Sequence, residues 1–147
     1  MRRQSKPPRT ISKGFTLIEL MVSVAVVAIL GTIAISTYTK QVQKSRRTDA
    51  RSAVLDLAGR EEKLFSTTNA YSAAPSDLGY GAVGDVWPIT IGSGYYQVTV
   101  AATPTTYLVT ANTFGIQIND TGCASFRVDQ LGSQTATGTD AAACWGN

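Results

Sequence analysis

Apolar and polar residues are distributed along this chain in two regimes. From Phe15 to Ile35 the sequence is almost wholly apolar and holds one charge, Glu19. Twenty-one residues rising about 1.5 Å each give about 32 Å of helix, enough to cross a bilayer hydrocarbon core. Beyond it the spacing stays helical and becomes amphipathic. Ile35, Tyr38, Val42, Ala50, Ala53, Leu57 and Leu64 fall close to one face, while Lys40, Lys44, Arg47, Arg51 and Glu62 populate the others. The pattern predicts one continuous helix from about Thr16 to Ser66. Ser66-Thr67-Thr68-Asn69 supplies the stop, with Asn69 suited to a left-handed conformation.

Helical periodicity then ends. Residues 71–94 are rich in Gly, Ser, Ala and Pro and predict loops, with one helical turn at Ser76 to Leu78. Tyr95 to Ala101 and Thr106 to Asn112 are rich in β-branched and aromatic residues and read as strands, with Thr103-Pro104 turning the chain between them. Cys123 to Asp129 reads as a third strand and Ser133 to Thr137 as a short fourth after the turn at Leu131-Gly132. The expected class is α+β: a long N-terminal helix packed on an antiparallel meander of three or four strands.

Charge sharpens this division. Residues 1–14 carry Arg2, Arg3, Lys6, Arg9 and Lys13 and no acid, whereas the chain from Phe15 onward has eight basic and ten acidic side chains. From Leu64 to the end Arg127 is the only base, against Asp77, Asp85, Asp120, Asp129 and Asp140. A head of that sign is a poor general attractor for phosphate backbones. Five bases ahead of an apolar span place residues 1–14 in the cytoplasm and the remainder outside. An ordinary secretory signal would use an apolar stretch of about 7 to 15 residues, and this one is longer and contains an acid. A plain membrane anchor also leaves Glu19 without a reason, because a carboxylate in a spanning helix is costly without a partner.

The segment Lys13-Gly14-Phe15-Thr16-Leu17-Ile18-Glu19-Leu20-Met21-Val22 resembles the class III signal of type IV pilins and their secretion-system relatives. The resemblance implies that a prepilin peptidase cuts between Gly14 and Phe15 and methylates the new amino terminus at Phe15. It also implies that Glu19 is the assembly residue, paired in a filament with the Phe15 amine of an adjacent subunit. Arg46-Arg47-Thr48-Asp49-Ala50, Tyr71 and Asp77-Leu78-Gly79-Tyr80 are similar to segments of PilE-type minor pilins. Two positions depart from the common pattern. Ala28 stands where a glycine is frequent and Ser36 where a proline is frequent, and in the family those residues flank a stretch that kinks or melts on assembly.

The resemblance therefore implies a chain in four parts. Residues 1–14 form a cleaved leader, 15–35 a membrane and assembly helix, 36–66 its amphipathic half, and 67–147 a periplasmic, later extracellular, head. The protein would sit in the bacterial inner membrane, single-pass with its N-terminus cytoplasmic, and then enter the extracellular pilus. Its partners would be other pilin subunits through the N-terminal helix, the prepilin peptidase, the inner-membrane assembly machinery and, before assembly, lipid. The implied role is a structural subunit that joins or primes a type IV pilus for motility, adhesion or DNA uptake. A type II secretion pseudopilin is the alternative. A DNA-receptor pilin comes third, since the acidic head disfavours a nucleic-acid partner.

Two cysteines, Cys123 and Cys144, lie beyond the apolar segment. An even, minimal count there favours one disulfide in an oxidising compartment, with two free buried thiols as the bland alternative. Type IV pilins close their heads with a comparable carboxy-terminal loop. The bases Lys40, Lys44, Arg46, Arg47 and Arg51 cluster just past the span, where they could meet lipid head groups, acids of neighbouring subunits or nucleic acid, or form a solvated helix face. With no histidine, one cysteine pair and no phosphate-binding glycine loop, catalysis has few available parts and no enzyme, cofactor or metal is expected. The scattered aspartates read as solvated loop carboxylates before a calcium site.

Overall fold

The computed structural model describes residues 14–92 and 94–146, with Ser36 described by its backbone alone. The basic leader up to Lys13 lies outside the described residues. The chain divides into two compact units between Thr39 and Lys40.

Helix α1 runs Leu17–Thr68, within two residues of the predicted bounds. Thr16 caps its start, its Oγ1 accepting the Glu19 N–H at 3.2 Å. At the other end Asn69 takes the left-handed conformation expected of it, φ 59°, and its N–H bonds the Phe65 carbonyl at 2.8 Å. In the first unit the hydroxyls of the apolar stretch turn back on the helix. Ser23 donates to the Glu19 carbonyl, Thr32 to Ile29 and Thr37 to Ile33, so each of these three hydroxyls is satisfied without water. An 18-residue stretch of α1 reaches a mean hydropathy of 2.5 with none of it buried, so the helix is long and apolar enough to cross a membrane.

In the second unit α1 buries Ala50, Ala53, Val54, Leu57, Ala58 and Glu61, a stripe at three- and four-residue spacing. This corrects the predicted face. Ile35 and Tyr38 are exposed, while Val54 and Ala58 belong to the core. Small alanines on the stripe let the helix lie close to the sheet.

The sheet is an antiparallel meander in the order β1-β2-β3-β4-β5: Ile89–Ile91, Tyr96–Ala102, Tyr107–Thr113, Ser125–Asp129 and Gln134–Thr137. The four predicted strands are present, and the count of three or four is corrected to five by β1. This strand is three residues between Pro88 and Gly92, too short to show an alternation, and it forms because Ile89, Thr90 and Ile91 pair with Val98, Gln97 and Tyr96. Alternation decides which face is inside. Val98, Ala111, Phe126 and Ala136 stand opposite one another across four strands, as do Val100, Val109 and Val128 across three, and these rows meet the helix stripe in one core. The expected helical turn near Ser76 is a hydrogen-bonded turn in which the Pro75 carbonyl accepts from Leu78 and Tyr80.

Cys123 and Cys144 form a disulfide with Cα atoms 5.7 Å apart, enclosing β4, β5 and the tail. Trp145 stacks edge-on to Phe126 at 5.7 Å and donates from Nε1 to the Thr135 carbonyl at 2.8 Å. Gly138, at φ 135°, is required here because a Cβ would collide with the Gly122 carbonyl.

Candidate functional site

The N-terminal segment is displayed without cover. Nothing lies within 4 Å of where a Gly14 side chain would be, and Phe15, Leu17, Ile18 and Leu20 are exposed. Gly14 and Phe15 precede the first helical turn as irregular backbone, and Glu19 lies in that turn. An acid there is favoured by the partial positive charge of the helix start. Thr16 Oγ1 accepts the Glu19 backbone N–H at 3.2 Å, so the cap uses the backbone of residue 19.

The second unit resolves the basic cluster residue by residue. Arg47 makes a two-point ion pair with Asp120, from Nε to Oδ2 at 2.7 Å and from Nη2 to Oδ1 at 2.6 Å. Burial pushes the Asp120 carboxyl up, and the Arg47 hydrogen bonds and charge outweigh it, so the group stays below its ordinary range. The guanidinium of Arg46 lies 3.7 Å from the centroid of the Tyr95 ring. Arg51 bonds the Thr48 hydroxyl at 3.3 Å. Lys40 and Lys44 line an open groove of about 360 Å³ with Asn119, Thr121 and Asp140. The cluster is therefore not a uniform charged face: Arg46 and Arg47 are committed to the head's own residues.

Gln117 fastens this region and was invisible in the sequence. It is fully buried in the 3-10 helix Gly115–Asn119, and its Nε2 donates to Asp120 Oδ2 at 3.0 Å, the Tyr96 hydroxyl at 3.2 Å and the Gln43 carbonyl at 3.4 Å. Burial pushes ionisation of Tyr96 up to about 12. Glu61 was equally hidden. It is fully buried, its Oε2 accepts the Ser72 N–H at 3.2 Å, and its Oε1 has no partner.

Three of the aspartates beyond Leu64 serve turns. Asp77 accepts from the Ser72 hydroxyl, Asp85 from the Ala82 N–H, and Asp129 from the N–H groups of Leu131 and Ser133.

A family profile described as type IV minor pilin ComP, DNA uptake sequence receptor, matches residues 36–127. The chain belongs to the type IV minor pilin family. A second profile, the prokaryotic N-terminal methylation motif, matches residues 9–35 of this pilin. The pilin is 35% identical over 69 residues to the type IV major pilin protein PilA of Myxococcus xanthus, 47% of this chain and 31% of that one. It is 30% identical over 104 residues to the fimbrial protein EcpC of Eikenella corrodens, 70% of this chain and 63% of that one. A fimbrial protein of Pseudomonas aeruginosa is 38% identical over 90 residues, 60% of this chain and 58% of that one. The chain thus spans between about a third and three fifths of the length of these relatives. A solved type IV pilin from Shewanella oneidensis aligns at 21% identity and a TM-score of 0.48, over 71% of this chain and 99% of that one. The chain is therefore a type IV pilin, and the relatives that it matches are pilins and fimbrial proteins, not enzymes.

Proposed function

We propose that this pilin is made with residues 1–14 as a leader, cut after Gly14, methylated on the Phe15 amine, and held in the inner membrane by residues 15–35 until it enters a type IV pilus. The observation that carries the reading is the uncovered apolar helix with Glu19 in its first turn, over residues that match the methylation motif. In the filament the Phe15 amine neutralises Glu19 of an adjacent subunit, which makes a carboxylate among apolar helices tolerable. Intact-mass and N-terminal peptide analysis of membranes and sheared filaments tests it. A chain beginning at methylated Phe15 in both fractions is expected, and a chain beginning at Thr37 would establish an ordinary secretory signal instead.

The pathway served has two readings. Priming or joining the filament for motility or adhesion is supported by family membership alone. DNA uptake is favoured by the match of residues 36–127 to a family described as a DNA uptake sequence receptor, and opposed by the acidic charge from Leu64 onward. Deleting the gene and measuring both surface pili and DNA uptake separates them: pili retained with uptake lost supports the receptor.

A further inference from the structure

Three consecutive residues near the end of α1 hold the segment that follows it. Arg60 donates from Nη1 to the Leu78 carbonyl at 2.9 Å, Glu61 Oε2 accepts the Ser72 N–H at 3.2 Å, and Glu62 Oε1 accepts the Tyr71 hydroxyl at 3.2 Å. Away from α1 the segment is tied by the Tyr71 N–H to the Pro104 carbonyl at 3.3 Å and by Trp87 Nε1 to the Ala73 carbonyl at 2.7 Å. Within itself it is closely bonded: the Ser72 hydroxyl donates to Asp77 and accepts the Ala74 N–H, and the Pro75 carbonyl accepts from Leu78 and Tyr80. Of residues 72–79 only Pro75 and Leu78 are buried. A stretch with few buried apolar contacts and its own internal bonds opens locally, as a unit, at low cost.

Glu61 is the weak member of this set. It is fully buried, yet its Oε1 has no hydrogen-bond partner among the described residues. A carboxylate out of water needs both oxygens satisfied to carry its charge, and one backbone amide falls short of that. The groups that face it do not help. Glu62 acts on it from its own helix, Asp77 and Tyr71 from the segment, and Tyr107 from β3, so the charges around it are acidic. Arg60, the base next to it in sequence, is turned to Asp56 at 2.8 Å and to the Leu78 carbonyl.

We propose that Glu61 is a proton-operated latch on segment 71–79: with the carboxyl neutral the segment stays closed on α1, and with it charged the segment lifts so that water reaches the carboxylate. The segment also forms one wall of an open groove of about 300 Å³, in which Asp77, Leu78 and Gly79 stand against Arg60, Lys63 and Leu64 of α1. Lifting the segment dismantles that groove, so this side of the head offers a different surface in acid and in neutral medium. Opening lets the carboxyl return to its ordinary value near about 4.3, which lies below its closed-state value, so opening releases a proton. The opening constant therefore rises with pH between those two values, by up to about tenfold per pH unit, and levels off above the closed-state value.

The test is amide hydrogen exchange of the full chain in detergent micelles from about pH 4 to about pH 8, corrected for the intrinsic pH dependence of exchange. The amides of Tyr71 and Ser72 report the segment, and those of Val98 and Val109, fully buried in the sheet, are the references. In the wild type the opening constant at Tyr71 and Ser72 is expected to rise about tenfold or more and then level, with Val98 and Val109 unchanged. In Glu61→Gln the segment is expected to show no rise. A flat wild-type profile overturns the proposal. So does a rise of equal size at Val98 and Val109, which would be loosening of the whole head, and so does a rise that persists in Glu61→Gln. Should that variant fail to fold, carbon NMR titration of the Glu61 carboxyl in the wild type decides. Protonation above the ordinary carboxylate range, ending where the opening constant levels, is expected, and protonation within that range overturns the latch.

Discussion

Arg47 and Asp120, 73 positions apart in sequence, meet in a bidentate ion pair whose aspartate side chain is 2% exposed and whose arginine is 20% exposed. The same carboxylate also receives Gln117 Nε2, and Gln117 in turn donates to the Gln43 carbonyl, so the helix and the loop before Cys123 are joined at more than one point. Two parallel N–H···O bonds fix angle as well as distance, so the pair orients the loop on which the disulfide begins.

Asp120→Asn removes the charge and leaves Arg47 partly desolvated. The expected loss is roughly 2 to 3 kcal/mol, below the full cost of breaking a buried pair because Arg47 keeps some solvent. The carboxyl is depressed in the folded state, so its stabilisation is fully present above its unfolded pKa near about 3.9 and disappears as pH falls through the lower folded value. Urea unfolding across that acid range should show a steep decline for the wild type and a shallower one for the variant.

Glu61 has the opposite sign. Burial raises its pKa, the Ser72 N–H offsets part of that, and the charges of Glu62 and Asp77 add to it. Between the unfolded value near about 4.3 and the raised folded value the native state holds more protons, so this group makes stability fall as pH rises through that window. Glu61→Gln should gain stability relative to the wild type as pH is taken from about 4 to neutrality, and melting curves at several pH values read it directly. A constant difference would mean that Glu61 does not titrate in the fold.

Reducing the Cys123–Cys144 bond, or replacing Cys123 with Ser, releases a loop with sequence separation 21. By the chain-entropy model this is worth about 3 kcal/mol, with β5, Trp145 and the tail losing order first. Amide exchange of β5 and of the tail should accelerate in the variant while membrane insertion is unchanged. Equal protection would show that the Phe126–Trp145 contact alone closes the head.

Glu19→Ala should be exported and cleaved normally, and the helix start should survive because Thr16 caps the backbone N–H of residue 19 and not its side chain. Incorporation into filaments should fall steeply, since the attraction that sets register is gone while the apolar seam remains. The measurement compares processed protein in membranes with protein in sheared pili. Equal incorporation would remove Glu19 from assembly.

The long helix, its stop at Asn69, four of the five strands and the cysteine pair were legible in the sequence because each rests on a local cause: a run of apolar residues, a period, a turn residue, a count of two thiols. The class III signal was legible for the same reason, being contiguous. Tertiary structure alone decided the rest. Strand β1 is three residues long and exists only through its partners on β2, and the buried stripe of α1 is set by where the sheet lies, so Val54 and Ala58 enter the core and Tyr38 does not. Five clustered bases read as one charged face until the fold set Asp120 against Arg47 and Tyr95 beneath Arg46. Gln117 and Glu61 carried no sequence signal at all, because the burial of a polar side chain is settled by which donors and acceptors the folded chain brings within about 3 Å, and these come from segments far apart in the chain.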